Sequence, residues 1–97
     1  MNYIVGDIGN TSTRICLLDK RFKIRKSIIF DTKKIFTKFK IFQILKKFEK
    51  MKIKKEILFS SVVPLAFKKL RQSLKGSKYK IIEVKDLNLK RLIKINI

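Results

Sequence analysis

Two unbroken apolar runs stand close together at the start of this 97-residue chain, Tyr3-Ile4-Val5 and Ile15-Cys16-Leu17-Leu18, separated by a polar stretch from Asp7 to Arg14. An apolar run without alternation must be covered on both faces if it is a strand. The opening therefore predicts a buried hairpin rather than an edge ribbon. Gly6 and Gly9 flank its turn. Asp19-Lys20 reads as a second turn, and Phe22 to Phe30, alternating at first through Phe22 and Ile24, as a third strand. Three successive strands with short connections make an antiparallel meander.

The period then changes. Asp31 or Thr32 is a good helix N-cap, and Ile35, Phe39, Phe42, Leu45 and Phe48 follow at spacings of three and four, which is one helical stripe. Lys33, Lys40, Lys47 and Lys50 occupy the opposite side. A basic amphipathic helix of this kind can lie on a membrane or enter a partner's groove. The commoner arrangement, expected here, packs it on its own sheet with the lysines in water. Glu56-Ile57-Leu58-Phe59 reads as a fourth strand ending at Ser60-Ser61. Pro64 then suits the first turn of a helix, Phe67, Leu70 and Leu74 share its face, and Gly76 is expected at C′. Tyr79 to Val84 is a fifth strand, and the tail from Asp86 to Ile97 carries no readable pattern. This order predicts an α/β fold with a mixed five-stranded sheet and flanking helices.

A composition that is 45% hydrophobic, with sixteen Ile and eight Phe, is ample for a packed core and argues against disorder. Ile57 to Phe67 is the longest nearly apolar stretch, broken by Ser60, Ser61 and Pro64, and far short of the roughly 20 residues of a membrane span. No secretory pattern opens the chain. Cys16, the one cysteine, excludes an internal disulfide and is expected to be buried in a reducing, cytoplasmic setting. The net charge of +19 raises the possibility of a nucleic-acid or anionic-membrane partner. Against that, 21 of the 26 basic residues are Lys rather than Arg, and they are spread along the chain. Lys, Ile, Phe and Asn are also the residues that an AT-rich genome favours. Nucleic acid stays a possible partner but not the favoured one.

The segment that carries chemistry is Asp7-Ile8-Gly9-Asn10-Thr11-Ser12-Thr13-Arg14. A bound phosphate needs backbone N–H groups aimed at it, short donor side chains and no bulky Cβ in the way. Gly9 allows the approach, and Asn10, Thr11, Ser12 and Thr13 bring donors. Asp7, at a strand end, can hold Mg²⁺ through water. The same residue types also make ordinary turns and loop caps. Arg14 can add charge to the site or point to solvent.

Asp-Ile-Gly-Asn-Thr after an N-terminal strand resembles the first phosphate motif of the type III pantothenate kinases, and Ser60-Ser61-Val62-Val63-Pro64 before a helix is similar to that family's Ser-Ser-Val-Val-Pro segment. The resemblance covers nearly the whole chain, although residues 20–55 carry it only through the order of elements. It implies a ribonuclease-H-like half-domain of the actin-like ATPase kind, spanning 1–97 as an N-terminal domain with the family's second domain absent. It implies ATP-dependent phosphorylation of pantothenate, the first step toward coenzyme A, with Mg²⁺ and a monovalent cation (K⁺ or NH₄⁺), and a homodimer. By the same resemblance Asp7 places Mg²⁺ and Asp7 to Arg14 grip the nucleotide phosphates.

The family's Asn-Pro motif and its Gly-Ala-Asp-Arg segment, whose Asp is the expected general base, have no counterpart before Ile97. No catalytic residue is assigned for that reason, and the chain by itself is expected to bind nucleotide without turnover. The monovalent-cation and adenine sites are likewise expected in the second domain. Two other readings stay open: a small basic nucleic-acid-binding or regulatory protein, and a non-catalytic remnant. Leu87, Leu89, Leu92 and Ile93 are the expected members of an apolar patch left by a missing half.

Overall fold

The computed structural model describes residues 1–37 and 41–84. Within them the expected meander forms from β1 (Asn2–Ile8), β2 (Ser12–Leu18) and β3 (Ile24–Asp31), successive antiparallel neighbours. β4 (Ile53–Ser61) pairs in parallel with β1, and β5 (Lys80–Glu83) in parallel with β4, giving the order β3-β2-β1-β4-β5. β3, β1, β4 and β5 thus all run the same way. The connections through α1 (Ile41–Phe48) and α2 (Pro64–Ser73) both step across the sheet in one direction. Right-handed crossovers of that kind must lie on the same face, and both helices do.

The core follows from side-chain alternation. Ile4 and Ile8 of β1, Ile15 and Leu17 of β2, Ile57 and Phe59 of β4 and Ile81 of β5 pack beneath Ile41, Leu45 and Phe48 of α1 and Phe67 and Leu70 of α2. The other face carries a smaller buried group, Val5, Cys16 and Leu18, with Tyr3, Ile24, Leu58 and Val84 against it. Cys16 is buried as expected, and burial pushes its thiol pKa up. Gly6 lies inside β1 rather than in the turn. Its register partner Phe59 lays its ring where a Cβ would stand, with ring carbons as near as 2.1 Å to that position. Only glycine allows this aromatic to cover the central strand.

Several boundaries differ from the sequence reading. Phe22 belongs to the turn and not to the third strand: its φ is 64°, and the Asp19 carboxylate accepts the N–H groups of Arg21 (2.8 Å) and Lys23 (3.0 Å) to build the reversal. The expected long helix is two pieces, a 3-10 helix (Thr32–Phe36) and α1; Phe39 and Lys40 lie outside the described residues. Its buried face is Ile41, Ile44, Leu45 and Phe48, whereas Phe42 is exposed. The helix nonetheless packs on its own sheet, with Lys46, Lys47 and Lys50 in water. α2 begins at Pro64 as expected, but its C-cap is Leu74. Gly76, with φ 87°, sits one place beyond C′, in the turn closed by Ser77 N–H donating to Leu74 O. A last tie joins layers: the Tyr79 hydroxyl donates to Glu49 Oε1 (2.6 Å), which Lys78 Nζ also approaches (3.3 Å). The tail residues Leu87, Leu89, Leu92 and Ile93 lie outside the described residues.

Candidate functional site

β1 and β4 run parallel, so the loops leaving their carboxyl ends emerge side by side. Open α/β sheets leave their binding crevices at such ends. Val62 N–H donates to Ile8 O (3.0 Å), and Asp7 faces Ser60 in register. The two sequence motifs, opening at Asp7 and at Ser60, are therefore brought together. Ser61 Oγ accepts the Val63 N–H (3.0 Å), bending the chain into α2.

The hairpin tip is built from three residues, Gly9 to Thr11. Gly9 N–H donates to Ser12 O (3.0 Å) across it. A Cβ on Gly9 would meet that same Ser12 oxygen at 3.0 Å, so the tight tip favours glycine. Thr32, the first residue of the 3-10 helix, fixes the tip from outside. Its N–H donates to Thr11 O (2.9 Å) and its hydroxyl to Gly9 O (2.7 Å). A hydroxyl has one proton to give. Thr32 gives it to Gly9, so the buried Thr13 hydroxyl, 2.9 Å away, must donate to Thr32. The relay runs Thr13 to Thr32 to Gly9.

With the Gly9 and Thr11 carbonyls and the Gly9 N–H taken, the amides of Asn10 and Thr11 are left over. Among the described residues, neither the N–H groups nor the side chains of Asn10 and Thr11 make a hydrogen bond. Both residues are exposed, as is Ser12. Successive unpaired N–H groups beside a glycine form a concavity suited to an anion.

Asp7 lies on the sheet face away from the helices, half-buried, with Arg14 opposite it on β2. Neither side chain forms an ion pair or hydrogen bond among the described residues, where the ion pair present is Lys78–Glu49. An uncommitted carboxylate at a strand end, with Ile8 alone between it and the tip, is a side chain that could hold Mg²⁺ through water if phosphate oxygens supplied further ligands. No cluster of three or more His, Cys, Asp or Glu side chains occurs among the described residues, and such a water-rich site does not need one.

The eight predicted site residues thus divide. Asn10, Thr11 and Ser12 line the open tip, Gly9 shapes it, and Asp7 and Arg14 stand beside it on the helix-free face. Ile8 and Thr13 turn their side chains fully into the interior and act through backbone and packing. Sequence reasoning missed the part played by Thr32, read only as a possible cap; Asp31, the actual N-cap position, makes no side-chain capping bond. The signal was the β2–β3 register, which sets Ser12 against Asp31 and cannot be read from local pattern.

A mixed five-stranded sheet in this order, with both crossover helices on one face and a polar hairpin at the carboxyl end of its first strand, is the architecture of an actin-like ATPase half-domain. The sequence pattern of type III pantothenate kinases matches residues 3–97. A type III pantothenate kinase of Pelagibacter ubique (strain HTCC1062) is 43% identical over 95 residues, covering 97% of this chain and 38% of that protein. No solved structure matches the chain. The chain belongs to the type III pantothenate kinase family, and it spans 38% of the length of that curated relative.

Proposed function

We propose that this chain forms the nucleotide-phosphate-binding part of an enzyme that transfers the terminal phosphoryl group of ATP to pantothenate. The observation that carries the reading is the pinned hairpin tip with its two unpaired amides, at Asn10 and Thr11, beside the uncommitted carboxylate of Asp7. In-line phosphoryl transfer relies on positioning and on neutralising charge. The amides and the Asn10, Thr11 and Ser12 side chains hold phosphate oxygens, and Asp7 holds the hydration shell of Mg²⁺. When bound, Mg²⁺ neutralises charge on the phosphates. Arg14 adds positive charge from the neighbouring strand.

No carboxylate of the chain lies in a Gly-Ala-Asp-Arg segment, so the base that takes the pantothenate hydroxyl proton comes from elsewhere in the working enzyme. Loss of such a base typically lowers the rate 10²- to 10⁴-fold. The contacts assigned here are to phosphate and to the Mg²⁺ hydration shell alone, so the 97 residues are expected to bind Mg–ATP weakly. The family resemblance extends the proposal to a cytoplasmic homodimer that also uses K⁺ or NH₄⁺; among the described residues no helix is long and apolar enough to cross a membrane.

Calorimetric titration with Mg–ATP tests the reading. Saturable binding that survives moderate salt and weakens at least about tenfold in Asp7→Asn is expected, since the loss of a charged contact to Mg²⁺ is worth at least about 1.4 kcal/mol. Tight, salt-sensitive DNA binding with no nucleotide preference, or an unaffected Asp7→Asn variant, contradicts it.

A further inference from the structure

A cleft of about 260 Å³ opens beside the hairpin tip, lined by Asn10, Thr11, Asp31 and Lys33. Two of those residues carry the unpaired amides. The other two come from the end of β3 and the start of the 3-10 helix, a part of the chain that neither sequence motif includes. Thr32 stands between them and is bonded to the tip at two points, Gly9 O and Thr11 O. Lys33 is thereby carried on backbone that is fixed to the tip itself. Its side chain is exposed and forms no ion pair among the described residues, Asp31 included.

A lysine that lines the same cleft as two unpaired amides, and that no ion pair engages among the described residues, can meet the charge of an anion bound there. We propose that Lys33 is a further phosphate-contacting residue of this site, closing the outer side of the cradle made by the Asn10 and Thr11 amides, and that Thr32 is the residue that positions it. The inference rests on the nucleotide reading above and extends it to a segment outside the family's two motifs. Lys34 is the natural control: it is also exposed and adjacent in sequence, and it is not among the residues lining the cleft.

The test measures Mg–ATP affinity of the full chain at several salt concentrations for Lys33→Gln, Lys34→Gln and Asp7→Asn, with folding checked by circular dichroism. An exposed charge contact of this kind is worth up to about 1 kcal/mol, so Lys33→Gln should weaken binding about two- to fivefold at low salt. It should also make the salt dependence shallower, because one fewer cation meets phosphate. Lys34→Gln should leave the affinity as it was. Equal losses in Lys33→Gln and Lys34→Gln would reduce the effect to bulk charge and overturn the inference. So would an unchanged Lys33→Gln alongside a weakened Asp7→Asn, which leaves the nucleotide site standing without Lys33. Absence of Mg–ATP binding in the unaltered chain would overturn both readings together.

Discussion

Thr32→Val separates the roles of the two hydroxyls in the tip relay. Valine matches threonine in shape, so the change opens no cavity. It removes the 2.7 Å bond to Gly9 O and leaves the Thr13 proton without its acceptor at a fully buried site. A lost hydrogen bond costs about 1 kcal/mol net and a buried unpaired donor about 1–3 kcal/mol, so the loss should total about 2–4 kcal/mol. For a chain of this size that lowers Tm by roughly 10–25 °C. Thr13→Val removes one bond only, because Thr32 still donates to Gly9, and should cost about 1 kcal/mol. The double variant no longer buries an unpaired hydroxyl from Thr13, so it should be more stable than Thr32→Val alone. Urea unfolding of the four proteins, read as midpoint shifts at constant slope, measures all three numbers. Thr13→Val costing as much as Thr32→Val, or costs that simply add, would refute the direction assigned to the relay.

Gly6→Ala should cost about 1–3 kcal/mol by overpacking, since the new methyl meets the ring of Phe59, itself 1% exposed and unable to swing away; Phe59→Leu in that background should recover part of the loss in urea unfolding, and full stability of Gly6→Ala would contradict the packing. Stability against pH should show two limbs. The Tyr79 hydroxyl, and then Lys78, hold Glu49 below its usual 4.5, so that contribution is present above about pH 4.5 and fades as pH falls through the lowered value. Burial, and then the bond to Glu49, push Tyr79 above its usual 10.0, so its contribution is complete below pH 10 and fades as pH rises. Tyr79→Phe should flatten the alkaline limb and move the acid limb upward, and an unchanged profile would count against the tie.

The elements that were legible in sequence are those whose cause is local. The unbroken runs at Tyr3 and Ile15 fixed two buried strands, and Pro64 announced a helix start. The same holds for the tip, because Gly9 and the short donors around it need no partner to be recognised. What sequence did not reveal depends on distant pairing. Phe22 keeps the strand's alternation, yet the Asp19 side chain captures two following amides and turns the chain there. Phe42 fits the helical stripe by spacing, but the 3-10 helix ends at Phe36 and the face that α1 buries is Ile41, Ile44, Leu45 and Phe48. Gly6 looked like a turn residue until β4 laid Phe59 across it, and Thr32 looked like a cap until β3 brought it to Gly9.

Phosphate is expected to bind at the Gly9–Thr11 tip. Amide-resolved NMR of the labelled chain, titrated with Mg–ATP, reads that binding residue by residue. The Asn10 and Thr11 N–H signals should move first and saturate, with those of Gly9 and Lys33 following, and Asp7→Asn should weaken the response at every one of them. A larger basic cleft lies elsewhere, about 410 Å³ between the end of α2 and the start of β5, lined by Arg71, Lys75, Tyr79 and Lys80 among others. Saturating shifts confined to that cleft, with Asn10 and Thr11 unmoved, would place the phosphate there and not at the tip.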